Sequence, residues 1–269
     1  MPSPEVEARG KRERGRERSS RQWVTDAAVP PSKRSRSVSP TKVDLSTLPN
    51  PVHRRVVLRD YGQPIYNASS RAVLLTALEG CIQGHESLYR AGILHRDIST
   101  NNLMINEDAS NPSWPSFLID LDLAIKTQRQ GVSGAKGMTG TKAFMATGAL
   151  LGERRSFMHD LESFFWVFLW ICIHYDGPGK DVGQTEFEMW NYMSVEDLAT
   201  REKGQVTHEG DFIERVESAF TPYFQPLVPW VNQLRRVVFP NSGRWEREDE
   251  ALYSRMREVL RQAREDPNV

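Results

Sequence analysis

The sequence predicts an α+β fold that is mainly helical and carries a few short β-hairpins. Apolar residues recur at helical spacing over residues 74–89, and Ser69 or Ser70 before them can cap the helix. Two β-rich runs, at residues 103–105 and 117–119, are separated by a polar loop. Helices should predominate after this hairpin, because further helical patterns follow at residues 160–174, 211–220, 226–239 and 248–264.

Residues 1–50 differ in composition from the rest of the chain. They are rich in Arg, Ser, Pro and Glu and lack aliphatic periodicity, so they cannot bury enough apolar surface to offset the entropy of ordering. We therefore expect a disordered basic leader at 1–50 and a folded region at 51–269. Within the leader, residues 30–40 combine basic side chains with several serines, which indicates either a nuclear-import or phosphorylation segment or a solvated linker.

Charge and cysteine content restrict the expected compartment and partners. The chain contains 35 Lys and Arg and 35 Asp and Glu, which gives no strong nucleic-acid signal. Cys81 and Cys172 lie in apolar helical patterns without metal-ligand or disulfide spacing, which favours a reducing compartment. The start of the chain is too polar for a signal peptide, and the apolar run at 161–173 is shorter than the ~20 residues that cross a bilayer. We expect an intracellular protein, nuclear or cytoplasmic, with no membrane contact; the oligomeric state stays open.

The segment from His95 to Asn102 carries the residue types of a phosphoryl-transfer site. Such a site needs a carboxylate that orients the attacking hydroxyl, and Asp97 is placed for that role. It also needs oxygen ligands for Mg²⁺, which neutralises charge between the phosphates. Asn102 lies five residues after Asp97, and Asp120 follows an apolar strand, so both side chains can reach the same cluster.

Four motifs in this order resemble the protein kinase superfamily, and specifically the fungal-type protein kinase domain family. They are HRDIS at 95–99, LIDLDLA at 118–124, GTKAFMA at 140–146 and HDLESFFW at 159–166. The resemblance implies a protein-kinase-like fold, of which residues 51–269 would form the C-terminal lobe from the hinge onward. It also implies ATP and Mg²⁺ as cofactors, phosphoryl transfer to protein Ser/Thr hydroxyls, and a protein substrate or interaction partner.

The resemblance also implies roles for individual positions. Asp97 would be the catalytic base, and Asn102 and Asp120, which complete the catalytic set, would hold Mg²⁺. Four residues would contact adenine, three as the hinge and the last from a strand beneath the ring: Asp60, Tyr61, Gly62 and Met104. Four others would support the site structurally: His95, Arg96, Thr141 and Asp160. Two further histidines are interpreted as packing or capping residues: His85 and His159.

Several features depart from this family pattern. Before residue 60 we find no Gly-rich loop and no lysine within an apolar strand, so the small lobe is expected to be absent. Ser99 stands where a serine/threonine kinase carries a phosphate-contacting lysine, and Asp122 adds negative charge beside Asp120. Residues 146–148 lack the Glu that anchors the end of the activation segment through a salt bridge.

These departures keep other functions open beside an active kinase. A catalytically inactive pseudokinase or truncated kinase fragment would act as a protein-interaction module, because a lone C-terminal lobe exposes apolar surface. The chain could also be the incomplete product of a longer kinase gene, with the basic leader as an interior insertion. A small-molecule phosphotransferase would share Asp97 and the metal ligands, although Gly140-Thr141 favours protein substrates.

Overall fold

The computed structural model describes residues 60–127 and 140–269, in which helices predominate and the strands are short. The predicted α+β, mainly helical class is confirmed for these residues, while the expected leader at 1–50 lies outside them. The helices are α1 Arg71–Arg90, α2 Thr147–Leu150, α3 Phe157–His174, α4 Val195–Thr207, α5 Glu209–Ala219, α6 Val228–Val238 and α7 Ala251–Glu265. The strands are β1 Gln63–Pro64, β2 Ile93–Leu94, β3 Leu103–Ile105, β4 Ser116–Leu118 and β5 Ile125–Lys126.

Two small antiparallel sheets position the loops of the site. The first has the strand order β1-β3-β4, and the second pairs β2 with β5, with Leu94 opposite Ile125. β3 forms at the predicted residues, and β4 begins one residue earlier than predicted. β1, β2 and β5 were not predicted, because two residues are too few to show the alternation of a strand.

α1 and α7 pack side by side in antiparallel directions. Ser70 begins α1 by accepting the Val73 N–H on its side chain, as the serines before the periodic run predict. Ion pairs then join the two helices, from Arg257 to Glu86 and from Arg264 to Glu79. Both pairs are partly buried, and their seven-residue spacing places them along one face of each helix.

α3 is the central helix, and the side chains along its 18 residues are buried except for the half-buried Trp170. A mainly apolar helix that is buried on all sides is stable only when other elements surround it. Within the residues that the structure describes, no helix is long and apolar enough to cross a membrane. The two cysteines are also buried, and burial raises the pKa of Cys81 to about 12 and that of Cys172 well above its usual range.

The first residue of α2 is anchored by two buried glutamates. The Thr147 N–H donates to Glu162 Oε1 on α3, and the Thr147 hydroxyl donates to Glu202 Oε2 on α4, both at 2.8 Å. Both glutamates are almost completely buried, and burial raises the pKa of each; the charge of Glu162 raises the pKa of Glu202 further. A second anchor follows, where Glu153 pairs with Arg244. Acidic anchors for this segment therefore exist, but they lie outside residues 146–148.

Replacing Glu202 with Gln should change how stability depends on pH. The folded state favours protonated Glu202, whereas the unfolded side chain ionises near its ordinary value of 4.5. Stability should therefore fall as pH rises above that value, by at most about 1.4 kcal/mol per pH unit, until the raised folded pKa is passed. Since Gln cannot ionise but can still accept from Thr147, Glu202→Gln should be more stable than the parent at neutral and alkaline pH. Urea unfolding between about pH 5 and 8 measures the difference.

The matched control is Glu214→Gln, because Glu214 on α5 is exposed. Its stability curve should run parallel to that of the parent. A parallel curve for Glu202→Gln as well would mean that Glu202 is ionised in the fold. The glutamate pair would then not contribute the expected pH dependence.

Candidate active site

The side chain of Asp160, on α3, holds the start of the loop formed by residues 95–102 (the HRD loop). Its Oδ2 accepts the backbone N–H groups of His95 at 3.1 Å and Arg96 at 3.2 Å, and lies 2.9 Å from His85 Nε2. Asp160 is only 2% exposed, and burial by itself would raise its pKa. The hydrogen bonds that Asp160 accepts from His85 and from the Arg96 N–H outweigh that effect and lower its pKa, so the carboxylate is ionised.

His95 and Ile119 join the HRD loop to the chain that follows β4. His95 Nε2 donates to the Ile119 carbonyl at 2.9 Å, and His95 Nδ1 accepts the Asp97 N–H at 3.3 Å, as a neutral imidazole allows. Burial lowers the pKa of His95 and so favours this neutral form. The Ile119 N–H donates to the Asn102 carbonyl at 3.0 Å. Asp120, the next residue, is thereby held beside the HRD loop.

The Asp97 carboxylate is oriented by the segment that begins at Gly140. Its Oδ1 accepts the Thr141 N–H at 3.0 Å and lies 3.5 Å from the Thr141 hydroxyl. Gly140 adopts a φ of 111°, and a Cβ there would approach the Arg96 carbonyl to 3.0 Å. Only glycine fits this backbone conformation and this close approach comfortably. The structure therefore brings Gly140-Thr141 against the HRD loop, as their place in the motif order suggests.

The side chains of Asn102 and Asp120 each carry an oxygen atom that could bind a cation, and a backbone hydrogen bond from Ile119 to Asn102 brings the two chain segments together. Asn102 Nδ2 donates to the Asp97 carbonyl at 2.9 Å, so Oδ1 is the polar atom of this side chain that remains for a cation. Asp120 is exposed, adopts a φ of 61°, and accepts the Asp122 N–H at 3.3 Å. An amide oxygen and a carboxylate fit Mg²⁺, which takes few protein ligands and completes its shell with waters and phosphate oxygens.

No cluster of three or more His, Cys, Asp or Glu side chains that could hold a metal ion occurs in residues 60–127 and 140–269. A preformed protein cage, such as a structural zinc site needs, is therefore not found in the described part of the chain. The pair of Asn102 and Asp120 suits a metal that arrives together with a phosphate ligand.

Tyr61 is bound at both of its backbone polar groups by the loop between β3 and β4. Its N–H donates to Ser113 Oγ at 2.9 Å, and its carbonyl accepts Asn111 Nδ2 at 3.1 Å. Both loop side chains are nearly buried, and the Ser113 N–H donates to Asn111 Oδ1 at 3.0 Å. The side chain of Tyr61 itself is exposed. The loop therefore holds this part of the expected hinge through two hydrogen bonds.

Gly62 and Met104 lie where β1 pairs with β3. Gly62 directly precedes β1, and Met104 is the middle residue of β3. A Cβ on Gly62 would lie 2.2 Å from the Ile105 carbonyl oxygen, so the two backbones meet too closely for any larger residue. Met104 stands opposite Pro64 and Phe117, and is half-buried between the fully buried Leu103 and Ile105. Because side chains alternate along a strand, Met104 faces away from the core that its neighbours enter.

Arg155 is a part of the site that the motifs did not identify. It lines a small cavity of about 10 Å³ beside Asp97, together with Ile98, Thr141 and Ser163 among others. Burial lowers the pKa of Arg155, while the charges of Asp160 and Asp97 favour its cationic form. Arg155 lies in the polar loop between α2 and α3, where no periodicity or motif marks it. It brings positive charge close to the HRD loop, in which Ser99 stands where a serine/threonine kinase would carry a lysine.

His85 is the second residue whose role the sequence did not indicate. Its Nε2 contacts Asp160, and its Nδ1 lies 2.8 Å from the hydroxyl of Tyr253 on α7. Both His85 and Tyr253 are fully buried. The interpretation of His85 as a packing residue omitted this link, because 168 residues separate it from Tyr253 and no local signal connects them.

The chain matches the family model described as fungal protein kinase over residues 3–172. The match begins before the four motifs, inside residues 1–50, and ends within α3. No curated protein matches the chain. The match covers more than half of the 269 residues and agrees with the motifs, which supports kinase-like function at the family level. This family uses ATP and Mg²⁺ in general. On these grounds the chain belongs to the fungal protein kinase family.

Proposed function

We propose that the protein transfers a phosphoryl group from Mg·ATP to Ser or Thr hydroxyls of proteins, on a protein-kinase-like C-terminal lobe that begins at the hinge. The observation that carries the proposal is the orientation of Asp97. Its Oδ1 accepts both donors of Thr141, which leaves Oδ2 to accept the proton of a substrate hydroxyl. This orientation of the Asp97 carboxylate suits the role of a general base.

The room beside Asp97 supports an aliphatic hydroxyl as the acceptor. The cavity of about 10 Å³ holds one group about the size of a water molecule. A Ser or Thr hydroxyl is of that size, whereas a phenol ring is much larger than this space. Arg155, on the same cavity, would draw an anionic phosphate toward the acceptor.

The metal ligands are fixed relative to the base. Asn102 and Asp120 would hold Mg²⁺, which, when bound, neutralises negative charge between the phosphates. Asn102 Nδ2 is bonded to the Asp97 carbonyl, and Ile119 bonds Asn102 and His95 just before Asp120. These hydrogen bonds position the Asn102 side chain and the backbone that precedes Asp120 relative to Asp97.

The adenine end of the site would use the backbone of Asp60 and Gly62 rather than that of Tyr61. Both polar groups of Tyr61 are bonded to Asn111 and Ser113 and so are not available to a ligand. Met104 faces away from the core on β3 and would supply the apolar surface beneath the ring.

A second function, a non-catalytic protein-interaction module, is favoured by a different observation. Tyr61 is 63% exposed, and Trp114, in the loop bonded to it, is 67% exposed. Large aromatic side chains that are exposed on two segments bonded to each other are typical of a surface that a partner covers. Nucleotide binding by the purified chain separates the two functions.

Asp97→Asn should lower phosphotransfer by about 10²–10⁴-fold, because the amide cannot take up the hydroxyl proton. Asn can still accept from Thr141, so the fold should persist. Transfer of labelled phosphate from ATP to synthetic peptides with Ser, Thr or Tyr as their one hydroxyl residue measures both rate and acceptor. Asp181→Asn, at an exposed turn, is the matched control and should be as active as the parent. Unchanged transfer by Asp97→Asn, or transfer to Tyr alone, would contradict the proposal.

Asp120→Asn should weaken binding of Mg·ATP roughly tenfold or more, because a charged metal ligand becomes a neutral one. Titration calorimetry with the full chain measures this loss, and Asp181→Asn again serves as the control. Asp122→Asn should instead bind Mg·ATP at least as tightly as the parent, since it removes negative charge beside the phosphates. Absence of binding by the folded parent would favour the interaction module.

A further inference from the structure

A chain of buried hydrogen bonds connects α7 to the HRD loop. The Tyr253 hydroxyl lies 2.8 Å from His85 Nδ1, and His85 Nε2 lies 2.9 Å from Asp160 Oδ2. Asp160 then accepts the backbone N–H groups of His95 and Arg96. The side chains of Tyr253, His85 and Asp160 are all almost completely shielded from solvent. The three helices α7, α1 and α3 are therefore joined to the loop that carries Asp97.

The proton positions along this chain follow from what each group can donate. An ionised Asp160 only accepts, so His85 Nε2 carries a proton. Burial raises the pKa of Tyr253, and its hydroxyl therefore keeps the proton that it can donate to His85 Nδ1. A neutral imidazole with its proton on Nε2 satisfies both neighbours at once. Nδ1 is thereby committed to Tyr253, and Nε2 to Asp160.

We propose that Tyr253 is a positioning residue for the HRD loop. By donating to His85 Nδ1, it holds the imidazole in the Nε2–H tautomer and directs it at Asp160. Asp160 in turn fixes the backbone next to Asp97. Only the effect on turnover rests on the proposed kinase function; the coupling itself does not. Tyr253 lies outside residues 3–172, so this support comes from a part of the chain that the family match does not reach.

A substitution can distinguish the contribution of the Tyr253 hydroxyl from that of its ring. The ring stacks on Phe157 with centroids 5.6 Å apart and packs near Tyr89 and His85, so it belongs to the core. Tyr253→Phe keeps this packing and removes the donor alone. The ion pair between Arg257 and Glu86 still holds α7 on α1 in that variant. A change at the HRD loop would therefore report the hydrogen bond rather than lost packing.

The experiment compares the parent with Tyr253→Phe and Tyr89→Phe in the full chain. Tyr89 belongs to the same aromatic cluster, with its ring centroid 4.4 Å from that of Phe157, but its hydroxyl is not part of the Tyr253–His85–Asp160 chain. The ¹⁵N spectrum of His85 reads the tautomer, and hydrogen exchange reads the amides of His95 and Arg96. Turnover and KM for ATP are measured on the same samples.

In Tyr253→Phe we expect His85 to lose its pure Nε2–H signature and both amides to exchange about tenfold faster or more. We expect kcat to fall about fivefold or more while KM for ATP stays within about twofold, since the hydroxyl does not touch the nucleotide. Tyr89→Phe should match the parent in all four measurements. An unchanged His85 tautomer and unchanged amide exchange in Tyr253→Phe would overturn the proposal, even if the protein is an active kinase.

A parent chain that transfers no phosphate, but whose His85 and amides respond to Tyr253→Phe as expected, would support the coupling. The same result would count against the proposed kinase function. The two ideas can therefore fail independently.

Discussion

One buried oxygen atom, Asp160 Oδ2, fixes the geometry on which the site depends. It receives the backbone of His95 and Arg96 and the imidazole of His85. A carboxylate this deeply buried is stable only when donors replace the water that it loses. The same contacts hold Arg96 at a φ of 71°, a conformation that costs of order 1–3 kcal/mol for a residue with a side chain. The hydrogen bonds to Asp160 thus offset both the cost of burying its carboxylate and the cost of the strained backbone at Arg96.

The strongly periodic elements could be predicted from the sequence, and the short or weakly apolar ones could not. α1 and α3 were predicted because their apolar residues recur over many turns, and β3 because its apolar run is bounded by polar residues. α4 was missed, since it buries little more than Leu198, Ala199 and Val206 among apolar residues and the rest of it is polar. Its stability comes from packing on the remainder of the fold, which a local pattern does not record.

The contacts of the site also divide into those that the sequence could predict and those that it could not. Motif spacing related Asp97 to Asn102, and the family resemblance placed Thr141 near Asp97; in the structure, hydrogen bonds join Asp97 to both residues. Contacts between side chains distant in sequence left no signal, as for Tyr61 with Ser113, or Thr147 with Glu202. Such pairs depend on where whole helices and loops come to lie, and neither residue type nor spacing reveals them in one sequence.

The rates at which the two buried cysteines react with a thiol reagent report how the molecule unfolds. Cys81 on α1 and Cys172 on α3 are fully shielded, and their raised pKa values leave almost no thiolate at neutral pH. A thiol reagent attacks the thiolate, so neither cysteine is modified until its own helix is exposed. Because Cys81 lies on α1 and Cys172 on the central helix α3, their labelling rates distinguish local opening of α1 from opening of the whole core.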